Sequence, residues 1–300
     1  MIRTELTKTM TIGLAVSGLV LIGGGAQAAL VLHLDAAAPG SNPSSVWEDH
    51  SASGYNMSVV GSVTHNAGSQ SYTFPGGGSY MEGGISGSES TFDFDTDEAA
   101  GAGNGNAITV LAYMTVSGTG AIIGKGTNAG PGWSHIVGND GSNGYGQQHL
   151  VSSEGHSTRM VRRWGPGGPG RIQGVGDGNS HLWLFQDDGT GDIAGTSLFV
   201  DGNLSGESDD GVEDNLKGSG LSILNDDELR IANLLGAGDH YAGELGFLEV
   251  HSGALPGGLS AADYGAQRWN GGNPSRIPEP GTLALLGLGG LMLLLRRRAK

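Results

Sequence analysis

The sequence predicts an all-β body, a two-sheet sandwich assembled from many short strands. Three observations carry that expectation. Glycine and polar clusters cut residues 29–255 into short apolar runs. β-Branched and aromatic residues fill those runs, as they do on pleated, half-buried surfaces. Stretches with a helical period are nearly absent.

In chain order, the predicted strands are LVLHLDA (30–36), NMSVVG (56–61), SYTFPG (71–76), AITVLAYMTV (107–116), GAIIGKG (120–126) and WSHIVGN (133–139). HLWLFQDD (181–188), TSLFVDG (196–202), LRIANL (229–234) and YAGELGFLEVHS (241–252) complete the set. One short helix is predicted within LSAADYGAQRW (259–269), where Ser260 and Asp263 supply a serine-x-x-acid cap. Asp201-Gly202 between apolar residues predicts a tight hairpin, because glycine accepts the positive φ that such a turn requires. GPGGPG (165–170) has the spacing of a dinucleotide fingerprint, but Pro166 and Pro169 lack the amide donors a phosphate needs and no helix follows. It reads as a loop, and the basic stretch RMVRRW (159–164) before it, with Trp164, reads as part of that loop.

Composition bounds the function. Glycine and proline total 68 of 300 residues, just under the roughly 25–30% at which low complexity becomes the default. With no cysteine, the chain has no disulfide, thiolate metal site or cysteine nucleophile. Between residues 29 and 277 there are 28 acidic and 9 basic residues, a net charge of −19. Such a body repels phosphate backbones and anionic membrane surfaces, which argues against nucleic acid as a partner.

Both ends read as addresses. Arg3 and Lys8 precede an apolar stretch from Ile12 to Ile22, and Ala26-Gln27-Ala28 offers the small residues a signal peptidase accepts. The expected cut lies between Ala28 and Ala29, making residues 1–28 a signal peptide. At the other end, the 14 residues from Thr282 to Leu295 carry no charge. As a helix they span about 21 Å against a hydrocarbon core of about 30 Å, a mismatch that snorkelling and local thinning cover. Arg296, Arg297, Arg298 and Lys300 should stay cytoplasmic and leave the body across the inner membrane.

The triplet Pro278-Glu279-Pro280, a glycine-containing leucine helix (281–295) and a terminal arginine cluster resemble the PEP-CTERM sorting signal of exopolysaccharide-producing Gram-negative bacteria. That resemblance implies recognition by an exosortase-type enzyme, cleavage near the triplet, and release to the cell surface or extracellular matrix. Two prolines hold the peptide extended and outside the helix.

The body resembles a concanavalin A-like, laminin-G-type jelly roll. The matching stretches are VWEDHSASGYN (46–56), ITVLAYMTVSGTGAIIGKG (108–126), HLWLFQDDGTGDIAGTSLFVDGNLSG (181–206) and LRIANLLGAGDHYAGELGFLEVHSGALPGGLSAADY (229–264). Tyr55 stands where that family has a glycine, and Leu248 where an acid often precedes the final Glu. The expected organisation is a signal peptide (1–28), a jelly-roll domain (29–270), a linker (271–277) and a sorting signal (278–300).

Few residues announce chemistry. A glycosidase on this fold needs two facing carboxylates, and no E-x-D-x-(x)-E strand occurs. TFDFDTDE (91–98) puts Asp93, Asp95 and Asp97 on one face without a pairing Glu, and reads as a solvated loop or strand edge. There is no H-E-x-x-H and no G-x-S-x-G. His33 and His181, in apolar strands, are expected to be packed or hydrogen-bonded. Structural calcium is the one ion to consider. DDGTGD (187–192) and WEDHSASG (47–54) are oxygen-rich, and the resemblance places an ion near Asp49. For sugar binding, Trp47, Trp133, Trp164, Trp183 and Tyr145 are the available aromatics, with Trp183 assigned to the core. Trp164, Arg162 and Arg163, with Arg159 nearby, combine a ring with the body's one dense positive patch. The expectation is thus an exported, non-enzymatic structural or adhesive jelly roll with polysaccharide as its ligand. The alternative is a glycan-cleaving hydrolase or lyase on the same fold.

Overall fold

The computed structural model describes residues 29–38, 45–83, 92, 107–127, 131–140, 143–152, 155–164, 172–188, 195–205, 213–214, 227–234, 240–253, 255 and 258–269. The signal peptide, the linker and the sorting tail expected from the sequence lie outside these residues. No helix among the described residues is long and apolar enough to cross a membrane.

The strands are β1 (Ala29–Asp35), β2 (Val46–Trp47), β3 (Met57–Val60), β4 (Thr64–Asn66), β5 (Ser71–Pro75), β6 (Tyr80–Gly83), β7 (Ile108–Val116), β8 (Gly120–Gly126) and β9 (Gly132–Asp140). They continue as β10 (Asn143–Ser152), β11 (Gly155–Trp164), β12 (Ile172–Gln173), β13 (His181–Asp187), β14 (Thr196–Val200), β15 (Asn203–Leu204), β16 (Glu213–Asp214), β17 (Leu229–Ile231) and β18 (Ala242–Ser252). Helix α1 covers Ala261–Arg268.

Two antiparallel sheets stack face to face. One has eight strands in the order β15-β14-β13-β7-β18-β5-β4, with β1 also on β18. The other has ten in the order β16-β11-β10-β9-β8-β17-β6-β3-β2, with β12 also on β10. Between them lies a core that includes Trp47, Trp164, Trp183, Phe74, Phe185, Met57, Leu229 and Ile231. A smaller cluster, with Leu111, Leu184, Phe199, Phe247 and Tyr264, seals α1 against the outer face of the eight-stranded sheet.

All ten predicted strands correspond to observed ones. The expected hairpin is present: Asp201 and Gly202 have φ of 51° and 76°, and Phe199 and Val200 pair with Leu204 and Asn203. Positive φ at both central residues is the combination that matches strand twist. The helix is capped as predicted, Ser260 Oγ accepting from the Asp263 amide at 3.1 Å.

The unpredicted hairpin β10–β11 corrects the reading of residues 159–164 as a basic loop. Its glycines are seats for core side chains, aliphatic and aromatic. A Cβ on Gly144 would come within 2.3 Å of Val175 and 3.2 Å of Trp183, and one on Gly146 within 2.6 Å of Leu198 and 3.1 Å of Phe185. Close approach of another group is a recurrent reason for glycine inside a strand. On the other face, the Tyr145 ring lies where a Gly138 Cβ would be.

Candidate functional site

Asp49, the expected ion ligand, has a different occupation. Its Oδ1 accepts from the amides of His33 and Ser51, both at 2.8 Å. Its Oδ2 accepts from Ser51 Oγ and the Tyr55 amide, both at 2.7 Å. Asn56 Oδ1 in turn accepts from the Asp49 amide at 2.9 Å. Four donors converge on one carboxylate, so the WEDHSASGYN turn closes around Asp49 and stitches itself to β1. A cation needs converging oxygens, whereas this carboxylate is ringed by hydrogens. Among the described residues no group of three or more His, Cys, Asp or Glu is arranged to hold a metal. Of the other oxygen-rich loop, Asp187 is buried and accepts from Gln148 Nε2 at 2.8 Å, while residues 189–194 lie outside the described set.

Trp164 is also corrected. It ends a strand instead of sitting in a loop, and its side chain is 0% exposed. Its ring meets Phe185 edge-on at 6.1 Å between the sheets, which leaves no face for a sugar. Arg162 and Arg163 stand opposite Gln148 and Gln147 in the β10–β11 register. Trp47, Trp133 and Trp183 are core residues as well. Phe92 amends the reading of 91–98 as solvated: it is fully buried, and its carbonyl accepts from Trp133 Nε1 at 2.9 Å. The three aspartates of that stretch lie outside the described residues.

Among the described residues, a buried electrostatic network lies beneath α1. Glu249 on β18 accepts from Arg268 Nη2, and from Tyr264 Oη at 3.0 Å. His251 Nε2 is 3.4 Å and His33 Nε2 3.6 Å from its oxygens. Burial pushes this carboxyl up, but the Arg268 guanidinium and the two histidines more than offset that and hold it well below the usual range. An ionised, arginine-clamped carboxylate ties the helix to the sheet, and it suits neither a general acid nor a nucleophile.

His181 is clasped on both ring nitrogens: Nδ1 by Asp201 Oδ2 at 2.7 Å and Nε2 by Asp177 Oδ1 at 3.2 Å. The Asp201 hydrogen bond, opposed by burial and seconded by Asp177, raises its pKa.

One polar cluster is half-exposed. On the face of β6 and β17 opposite Met81, Leu229 and Ile231 lie Tyr80, Glu82 and Arg230, with Glu228 just before β17. Arg230 and Glu82 are cross-strand partners. The Arg230 guanidinium carbon lies 4.7 Å from the Tyr80 ring centroid, and Nη2 reaches Glu82 Oε2 at 3.5 Å. Burial, then a hydrogen bond and charge repulsion from Glu82, raise the Glu228 pKa. Sequence reasoning missed this set. The available signal was alternation, since Tyr80 and Glu82 flank buried Met81 in YMEG and Arg230 sits between apolar neighbours in LRI.

Two stacked antiparallel sheets with a short capped helix on one outer face define a jelly-roll sandwich. The chain also carries a PEP-CTERM protein-sorting motif, whose family model matches residues 276–299. No curated protein matches the chain. Among solved structures it is similar to the binding domain of Paraclostridial Mosquitocidal Protein 1, with 11% identity and a TM-score of 0.53, covering 81% of this chain and 52% of that one. It thus spans about half the length of that structure. It is also similar to domain 4 of AbnA, a GH43 extracellular arabinanase from Geobacillus stearothermophilus in complex with arabinotriose, with 13% identity, a TM-score of 0.44, and coverage of 80% and 99%. Domains LG4-5 of the mouse laminin alpha1 chain give 14% identity, a TM-score of 0.36, and coverage of 64% and 42%.

Proposed function

We propose that the protein is an exported surface or extracellular-matrix component whose jelly-roll body binds polysaccharide without cleaving it. The sorting motif at 276–299 carries the export part of this reading. In it, signal peptidase cuts before Ala29, the tail lodges transiently in the inner membrane, and an exosortase-type enzyme processes the chain near Pro278-Glu279-Pro280. The temporary helix (281–295) is short for a permanent span, and Arg296, Arg297 and Arg298 keep its end cytoplasmic.

Binding is favoured over catalysis by the state of the carboxylates. Glu249 is clamped by Arg268. Glu228 sits beside Glu82, and burial and that neighbouring carboxylate raise its pKa. Incubating the secreted protein with polysaccharides separates the readings: retention on a glycan with no new reducing ends is expected, and new reducing ends would establish a glycan-cleaving enzyme. For the ends, mass spectrometry of the secreted protein should show Ala29 first and no terminal arginines. Alanines at Pro278, Glu279 and Pro280 should leave it in the inner membrane, and unchanged release would refute the sorting step.

A further inference from the structure

We propose that Tyr145, Gln147 and His149 form a binding subsite for a pyranose unit on the outer face of the ten-stranded sheet, with the Tyr145 ring as its stacking surface; this rests on the polysaccharide-binding reading above. Along β10, Gly144, Gly146 and Gln148 are buried toward the core, and the three proposed residues alternate with them on the other face, each half-buried. The central observation is how the tyrosine ring is laid down. A Cβ on Gly138, the cross-strand partner of Tyr145, would come within 2.2 Å of Cζ, 2.3 Å of Cε1 and 2.4 Å of Oη. Near-equal distances to three atoms that share no line place that point off the ring plane. The ring therefore covers Gly138 with its face and not its edge. Its hydroxyl is fixed by Thr119 Oγ1 at 2.7 Å, in an exposed hydrogen bond just before β8.

One face of the ring is thus spent on the sheet, and the other is turned away from it. Among the described residues the ring joins none of the three hydrophobic clusters. Held flat and tethered at its tip, it has little side-chain freedom left to lose when a ligand arrives. The apolar C–H face of a pyranose fits such a surface, because the electron-rich ring face attracts the slightly positive hydrogens of those bonds. Beside it, Gln147 Oε1 and His149 Nε2 are joined at 2.9 Å, and together with the Thr119 hydroxyl they set polar groups around the ring, where sugar hydroxyls project. A nucleotide base stacks equally well, but its phosphates are repelled by a body of net charge −19. A tyrosine laid over a strand glycine also supports a sheet by itself, so the test separates binding from stability.

Affinity electrophoresis of the secreted product through gels containing dextran, mannan or alginate, with arabinan as the furanose comparison, tests this. The parent should be retarded by at least one of the three pyranose polymers. Tyr145→Leu, which keeps an apolar cover over Gly138 but removes the ring, should raise the apparent dissociation constant at least about tenfold, and Gln147→Ala about threefold or more. Tyr145→Phe, which keeps the face, should stay within about threefold of the parent. Equal retardation of parent, Tyr145→Leu and Gln147→Ala would overturn the subsite and leave polysaccharide binding standing; a ring that only covers the strand gives that result while Tyr145→Leu melts at a lower temperature. Retardation by arabinan alone would overturn the pyranose assignment. No retardation in any gel would overturn both the subsite and the reading it rests on. If thermal melting shows that Tyr145→Leu does not fold, Gln147→Ala carries the same decision.

Discussion

Lowering the pH from about 7 to about 5 should remove about 2 kcal/mol of stability through His135 alone. This residue sits on β9 between Ile123 of β8 and Gln148 of β10. The rings of Trp133 and Phe185 pack edge-on against it at 5.7 and 4.8 Å. Among the described residues, neither ring nitrogen has a hydrogen-bond partner. Burial, assisted by His149, pushes its pKa from 6.5 down to about 3. The folded protein therefore refuses a proton that the unfolded chain accepts below about pH 6.5. Stability falls as pH drops from about 6.5 and stops falling through this group near 3. At pH 5 the unfolded chain is about 1.5 units below its midpoint, and at about 1.4 kcal/mol per unit the loss is about 2 kcal/mol. Urea unfolding followed by tryptophan fluorescence at both pH values, for the parent and His135→Leu, measures it. The leucine variant should lose about 2 kcal/mol less on acidification, and at neutral pH it should gain about 1–3 kcal/mol because two stranded nitrogens are gone. Equal acid losses in the two proteins would refute a sealed, neutral imidazole at this position.

Four other outcomes follow from the same structure. Asp49→Ala should cost about 2–3 kcal/mol in urea unfolding, since it strands the His33, Ser51 and Tyr55 amides; chelation with EDTA should leave the parent's melting temperature unchanged, and a drop would reveal a bound ion. Gly144→Ala should destabilise by about 1–3 kcal/mol through overpacking against Val175 and Trp183, again by urea titration. The His181 clasp has the opposite pH sign to His135: its raised pKa means that its contribution is complete below about 6.5 and is lost as pH rises through the folded value, so His181→Gln should flatten the alkaline side of the stability profile.

The architecture was legible wherever side chains alternated. β7, β13 and β18 are long apolar strands, and the Asp201-Gly202 hairpin and the Ser260 cap follow local rules that tertiary context leaves intact. β10 and β11 escaped because glycine, glutamine and arginine depress a hydrophobic pattern, and because the reason for Gly144 and Gly146 lies on β13 and β14 across the core. The site was less legible for the same kind of reason. Trp164 looked available because its neighbours in sequence are charged, yet its neighbour in space is Phe185. Asp49 looked like a ligand because carboxylates in turns serve ions and amides equally well, and only the amides from β1 and the turn decide between them. The Tyr80 cluster depends on β6 lying beside β17, about 150 positions away in sequence, a pairing that no local pattern specifies.

Among the described strands, the sheet neighbour of the opening strand β1 is β18, more than two hundred residues later in the chain. While the polypeptide is being made, its first strand can meet the turn around Asp49 but not yet its sheet neighbour. Closure of the eight-stranded sheet therefore awaits nearly the whole body, and high contact order of this kind makes folding slow. Such delay keeps the precursor pliable enough to pass a narrow pore, and it leaves compaction for the far side.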